Sequence, residues 1–429
     1  MNNPKRRLVI VGGGAGGSEL AAALGRKSKK LNMKVSLVDC ASEHLWKPRL
    51  HEVAAGVLGD NEDAIPYLAL GQVNGFRFHL GALVGLDATM KTITIGPVFT
   101  ARGDTLLGER VLEYDTLVLA FGSEVNDFAT PGVREYCHVL DDGEQAIAFH
   151  RQMLEEAVRV SEGSNDRLRI GIVGAGATGV ELAAELHRAV AAMHHVAGLM
   201  SRDRLEITLI DMAPRVLIGG APAVSSFASS ALTQLGVTLR LNDGVMRVTP
   251  NGFVLKSGEM VPCDLRVWAS GVIGRPLAAN LKLALDRSRR IICDESLRCS
   301  GADDIYAMGD CAAVIDPQSG KLLPTTAQVA HQQAEYLFRR LAQRPTQSAI
   351  TAFRYRDRGS LVSLGAQSTA GQLPIASRRI WTFSGTLPKI AYLSLQIMHR
   401  AALIGWRRAV TLMLADALQR TVAPPVKLH

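Results

Sequence analysis

Two stretches of the chain share one hydrophobic rhythm. Arg7 to Val11 is a short, mostly apolar run that enters Gly12-x-Gly14-x-x-Gly17 and then a helical stretch, Ser18 to Gly25. A second apolar run, Val35 to Val38, ends in Asp39. Further on the rhythm recurs. Leu168 to Val173 precedes Gly174-x-Gly176-x-x-Gly179, a helical pattern runs from Val180 to about Met193, and Leu205 to Ile210 ends in Asp211. Short apolar runs bounded by glycine, each followed by a helical period, read as buried parallel strands in βαβ units. The stretch His194 to Arg204 reads as a loop inserted before the last strand. Thr116 to Gly122 and Asp264 to Gly271 are two further apolar runs that end in small residues. A chain of 429 residues is too long for one core. The expected class is α/β, with two Rossmann-like domains. The N-terminal apolar run is broken by glycines and ends at Glu19, so it reads as strand and turn rather than as a signal peptide.

The glycine spacing carries chemistry. The first glycine permits a tight turn, the second lets a pyrophosphate approach the backbone, and the third lets helix pack on strand. The helix N-terminus then faces the phosphates, and Asp39 or Asp211 is placed to bond a ribose hydroxyl. Two such fingerprints imply two dinucleotides, and the usual pair is FAD and a nicotinamide. Asp211 opposes a 2′-phosphate and favours NADH over NADPH, with Arg215 nearby as a countervailing charge. Ile305-Tyr-Ala-Met-Gly309-Asp310 resembles the GD motif of two-dinucleotide flavoproteins, whose aspartate meets the ribityl chain. These landmarks divide the chain into a first FAD-binding segment (1–135), an inserted NADH-binding domain (136–289), a second FAD-binding segment (290–375) and a tail (376–429).

Charge changes the picture only in that tail. From Ala376 to His429 there are eight Lys or Arg and one acid, so the tail holds +7 of the total +8. Its longest uncharged run, Ile390 to Met398, is too short to span a bilayer. Ile390, Leu393, Ile397 and Ala401 form a helical stripe, flanked by Lys389, Arg400, Arg407 and Arg408, with Tyr392 and Trp406 suited to an interface. Basic helices of this kind lie in the headgroup plane of an anionic membrane. The plainer alternative is a helix pair packed on the core or on a second copy. Interleaving of basic and aliphatic residues argues against nucleic acid.

The six cysteines form no CxxC, which fits a reducing compartment and gives no redox dithiol beside a flavin. Cys293, Cys299 and Cys311 read as structural. His194 and His195 lack ligand partners at metal spacing, so no metal is expected. The segment Pro324 to Ala334, PTTAQVAHQQA, is a polar helix start after the GD motif. Pro324 sets the entry and Thr325 or Thr326 can cap it. Gln328 and His331 at i, i+3 share a face and suit the carbonyl oxygens of a quinone.

Together these residues resemble the type II NADH:quinone oxidoreductases, single-subunit respiratory flavoproteins that pump no protons. The resemblance is carried by GGGAGG at 12–17, HLWKPRLHEVAAG at 44–56, GSEVNDF at 122–128, GAGATGVELAAEL at 174–186, GDCA at 309–312, AQVAHQQA at 327–334 and GSLVSLG at 359–365. The tail, with AYLSLQIMHRAALIGW and a final KLH, is similar to the proteobacterial branch. The resemblance implies non-covalent FAD held by Gly12, Gly13, Gly14, Ala15, Gly16, Asp39, Cys40, Lys47, Leu83, Gly309, Asp310, Ala327 and Gln328. It implies NADH at Gly174, Gly176, Gly179 and Asp211. Glu181 matches a glutamate near the nicotinamide and quinone end of the flavin, although a first-turn acid that complements the helix dipole needs no catalytic role. Gln328 and His331 match quinone residues. The resemblance further implies a membrane quinone as acceptor, a monotopic position on the cytoplasmic face of the inner membrane, and a homodimer. Arg49, Asp211 and Ser270 depart from the commoner Leu, Glu and Ala. Arg49 either alters the quinone entrance or snorkels outward. A soluble reductase with a protein or oxygen acceptor and a redox-sensing flavoprotein are the rival readings.

Overall fold

The computed structural model describes residues 4–58, 64–343, 352–365, 369–376, 379–384 and 386–422. The first fingerprint folds as β1 (Arg6–Val11), α1 (Ala15–Arg26) and β2 (Met33–Asp39). After the short helix α2 (Leu50–Ala54) and helix α3 (Tyr67–Asn74) come β3 (Arg77–Leu80) and β4 (Thr116–Leu119). Helix α4 (Gly143–Ser161) leads to the second fingerprint, β5 (Leu168–Val173), α5 (Ala177–Ala197) and β6 (Leu205–Ile210), followed by β7 (Thr238–Arg240) and β8 (Leu265–Trp268). The chain then returns through β9 (Ile305–Ala307) and α6 (Ala327–Ala342). Strands β10 (Ser360–Ser363), β11 (Thr369–Ala376) and β12 (Arg379–Ser384) precede the tail helices α7 (Thr386–Ile404) and α8 (Trp406–Val422).

Two parallel sheets organise this sequence. The first has the order β9-β4-β1-β2-β3 and the second β7-β6-β5-β8. In each, the chain moves outward from a central strand and then crosses to its other side. That reversal opens a crevice at the carboxyl ends of β1 and β5, where a dinucleotide-binding fold holds its ligand. Leu117, Val118 and Leu119 of β4 are all buried, as both faces of a helix-covered parallel sheet require. The chain passes between the sheets twice, through Ser123–Val125 and Val272–Gly274, and these two segments pair antiparallel.

Two expectations change. Residues 194–197 are the last turn of α5, which ends at Gly198 with φ +65°, so the start of the expected loop is extra helix. The helical tail begins at Thr386, because residues 379–384 form a strand. Its first helix belongs to the core. Leu403 is fully buried, Ala401 and His399 are buried, Arg26 donates to the Ala402 carbonyl (3.1 Å), and Asn74 donates to that of Leu403 (2.9 Å). Beyond Gly405 (φ +85°), α8 exposes Trp406, Leu412, Leu414 and Leu418. Among the described residues no helix is long and apolar enough to cross a membrane.

Candidate functional site

The two glycine loops have one construction. Gly12 has φ +104°, and a Cβ there would lie 2.3 Å from the Ala120 carbonyl oxygen; Gly174 has φ +111°, and its Cβ would lie 2.6 Å from that of Ala269. Gly17 and Gly179 each leave no room for a side chain beneath the preceding turn, at 1.9 and 2.0 Å from the Gly12 and Gly174 oxygens. The middle glycines, Gly14 and Gly176, face open space, with nothing within 4 Å of a Cβ. Both are N-caps with no side-chain cap, so the first N–H groups of α1 and α5 remain for a ligand. The acids match as well. Asp39 accepts from the N–H of Gly13 (2.5 Å) and Ala41 (2.9 Å), and Asp211 from that of Ala175 (2.6 Å) and Ala213 (2.8 Å). Each carboxylate is thus fixed beside its loop, where a ribose would lie. Gly81 donates to the Asp39 carbonyl, which brings the segment leading to the buried Leu83 beside the first acid. Cys40 follows Asp39 and is exposed. These loops fit pyrophosphate-bearing dinucleotides.

The polar helix closes on the first loop. A Cβ on Gly16 would meet the Met308 methyl at 2.4 Å and the Ala330 oxygen at 2.9 Å, so glycine there lets α6 lie against α1. Thr326 is the N-cap, accepting from Val329 N–H at 3.3 Å. The backbone N–H groups of Ala327 and Gln328 have no hydrogen-bond partner among the described residues, a donor pair suited to an electron-rich ring edge. Gln333 accepts from Gly309 N–H (2.6 Å) and fixes the GD turn, where Asp310 accepts from the Ser123 hydroxyl (3.1 Å). Burial raises the Asp310 carboxyl above its ordinary range, against Ser123 and Lys47. Burial lowers Lys47, against Asp141 and Asp310. Gln332 exchanges two bonds with the Arg356 backbone, and Gln328 holds the Gly359 carbonyl, Arg358 N–H and the Tyr355 hydroxyl. The glutamines therefore act first as anchors for the GD turn and the 355–359 segment. Gln328 keeps its second amide N–H, since that nitrogen carries two donors.

Gln328 and His331 do not converge on one partner. His331 Nδ1 faces Glu19 at 2.5 Å, and its Nε2 lies 3.6 Å from Glu335. Glu19 also contacts His399 Nδ1 at 2.7 Å, His399 Nε2 meets His44 Nε2 at 2.8 Å, and His44 Nδ1 reaches the Gly13 carbonyl at 2.8 Å. Glu181 sits apart, at the start of α5. It is buried, accepts from Ser363 N–H (3.0 Å) and lies 3.5 Å from His51 Nδ1. Burial pushes its carboxyl up to about 8, with Glu52 and Glu185 adding to the rise and Ser363 opposing it. Burial lowers His51 to about 4, and its Nε2 has no partner among the described residues. A neutral acid beside a neutral imidazole is a store for one exchangeable proton.

Comparison with known proteins decides the family. The model of the pyridine nucleotide-disulphide oxidoreductases matches residues 6–334. A type II NADH:quinone oxidoreductase from Haemophilus influenzae is 35% identical over 99% of this chain and 100% of its own. The chain belongs to the type II NADH:quinone oxidoreductases. One from Mycobacterium tuberculosis is 28% identical, over 96% of this chain and 88% of its own. The solved structure of NDH2 from Plasmodium falciparum in complex with NADH shares the fold, with a TM-score of 0.82 at 20% identity over 99% of this chain and 100% of that one. A sulfide:quinone oxidoreductase from Aquifex aeolicus also shares it, at TM-score 0.71, 18% identity and 97% and 95% coverage.

Within this type II oxidoreductase several residues differ from their expected surroundings. Arg49 does not snorkel. It is 4% exposed and pairs with Glu52, one turn on, at 2.6 and 3.0 Å, with His51 between them in the chain. Cys293, Cys299 and Cys311 are buried, and burial pushes the Cys311 thiol up to about 12. Glu19, His44, His51 and His399 were not singled out by sequence reasoning. His44 and His51 lie within the HLWKPRLHEVAAG segment, whose histidine spacing was the available signal.

Proposed function

We propose a route for this FAD-dependent NADH:quinone oxidoreductase that assigns each step to residues of the chain. Gly174, Gly176, Gly179 and Asp211 hold NADH. Arg215 offers no terminal N–H to a 2′-phosphate, because its Nη1 and Nη2 groups are committed to the carbonyls of Leu217, Ile218 and Gly220 and to the Ser225 hydroxyl. Gly12 to Gly16, Asp39, Cys40, Lys47, Leu83, Gly309, Asp310 and the N-terminus of α6 at Ala327 and Gln328 hold FAD. Bound FAD supplies the two-electron carrier between NADH and a membrane quinone. The division into an FAD unit (1–135 and 290–375), an inserted NADH unit (136–289) and a tail is supported by the two parallel sheets and the paired crossing strands.

Glu181, neutral at pH 7, stands ready to supply a proton at the reacting end, with His51 beside it. His331 Nε2 and the second amide N–H of Gln328, which has no partner among the described residues, serve as polar anchors for the quinone. Exposed Trp406, Leu412, Leu414 and Leu418, with Arg407 and Arg408, support an anionic lipid surface as the partner of α8; the cytoplasmic face rests on the resemblance alone. A homodimer rests on the resemblance alone. The observation that carries the route is the repetition of the first cradle by the second, glycine for glycine and acid for acid. Its test is anaerobic: mix the FAD-loaded protein with NADH, follow flavin bleaching, add a short-chain quinone and time the recovery. Rapid bleaching and recovery support the route; rapid bleaching with slow recovery removes quinone as the acceptor.

A further inference from the structure

Glu19, His331, His399 and His44 form one hydrogen-bonded line across separate regions of the chain. Their protonation follows from chemistry. The Gly13 carbonyl can only accept, so His44 Nδ1 carries the proton that meets it; the Tyr67 hydroxyl donates to the same oxygen at 2.7 Å. Burial lowers His44 to about 3, so this imidazole is neutral and its Nε2 is an acceptor. His399 Nε2 must therefore donate to His44. His399 Nδ1 meanwhile faces Glu19, whose carboxyl burial alone pushes up, but which hydrogen bonds from His331 and His399 hold at about 2. With Glu19 ionised, Nδ1 also donates, so the His44–His399 pair holds one proton more than two neutral rings carry. Trp46 stacks on the His399 ring with centroids 5.5 Å apart.

One carboxylate is thus shared between two imidazoles. His331 rises above its ordinary value through its hydrogen bond to Glu19, with burial opposing, Glu335 adding and Arg358 subtracting. His399 comes from α7, Glu19 from α1 and His331 from α6, so seating of the tail helix decides how much of the carboxylate's charge His331 feels.

We propose that Glu19 is a positioning residue that fixes the ring and sets the proton affinity of His331, and that His399 of the tail helix competes for it, coupling the seating of α7 to the charge on His331. Within the quinone-site reading, on which this last step rests, His331 gives up the proton on Nε2 to a quinone oxygen. That is one of the two protons that accompany two electrons. Nδ1–H stays on Glu19, and Nε2 regains a proton from water beside the half-exposed Glu335.

The test is a histidine titration of the full-length, FAD-loaded protein, isotope-labelled at histidine and followed by NMR, with the His331 signal assigned by its loss in His331→Gln. Glu19→Gln keeps the shape and removes the charge, so the His331 midpoint falls by about one pH unit or more. His399→Asn removes the competing imidazole and the proton it shares with His44, so the midpoint rises by a comparable amount. Movement of both variants in the same direction, or by less than about 0.3 pH unit, overturns the proposal. His399→Asn still gives a decisive sign if Glu19→Gln does not fold. The quinone half-reaction is then followed against pH in the same variants. If its profile moves with the midpoint, the quinone step stands. If the midpoints move as expected and the profile does not, the shared carboxylate stands and His331 loses its place at the quinone.

Discussion

Replacing Glu181 by Gln separates a structural consequence from a functional one. The carboxyl is buried and held at about 8, against an ordinary value of 4.5. A folded-state value raised above the unfolded one means that the native protein binds the extra proton. Stability is then lost as pH rises from 4.5 through 8. Each pH unit in that window costs about 1.4 kcal/mol, so the carboxyl destabilises the fold by about 3 kcal/mol at pH 7 and about 4 at pH 8. Glutamine has the shape of the neutral acid, still accepts from Ser363 N–H and does not titrate. The variant is therefore expected to match the parent in thermal unfolding at pH 4.5 and to unfold several degrees higher at pH 8. Turnover with NADH and quinone falls while FAD stays bound, because an amide has no proton to give. An equal gain in melting temperature at both pH values would refute the assignment of a raised carboxyl. Unchanged rates for both half-reactions would remove Glu181 from the chemistry.

Three further outcomes follow from the loops and the tail. Gly176→Ala adds a methyl where nothing lies within 4 Å, so folding and FAD content stay normal while the KM for NADH rises about tenfold or more as phosphate contacts are lost. Gly12→Ala combines a φ of +104° with a 2.3 Å overlap on the Ala120 oxygen, and the protein is expected to purify without the yellow of bound FAD. Truncation after Gly405 removes α8 but keeps His399 and Leu403. It should abolish co-sedimentation with anionic vesicles and leave reduction of a soluble short-chain quinone intact; continued sedimentation would reject α8 as the lipid element.

The double α/β architecture was legible because its determinants are local. A glycine that must turn, a glycine that must leave space and an acid that ends the next strand lie within a few dozen residues of one another. The helix cap at Thr326 was legible for the same reason. The length of α5 was not, because the polar pair His194 and His195 passes for the start of a loop, and only the αL turn at Gly198 ends the helix. The glutamines of α6 showed that many amides were needed there, but not that backbone segments would take most of them. The sequence left Arg49 either at the quinone entrance or snorkelling outward, because its ion pair with the half-buried Glu52 forms where α2 packs beside α5. The contact of Glu19 with His399 joins residues 380 positions apart, a distance at which no periodicity or spacing carries information.

The antiparallel pairing of Ser123–Val125 with Val272–Gly274 makes the second nucleotide unit a cassette. Its entrance and exit, Val125 and Val272, face each other in register, about 5 Å apart as paired strands require. A two-residue turn spans that gap. The host chain's path at these strands allows exchange of the intervening segment for one that reads another nicotinamide, provided the replacement also covers Leu50, Val53 and Ser363, which pack against the present one. Specificity for the electron donor is then transplantable separately from the flavin core, with the crossing strands as the graft points.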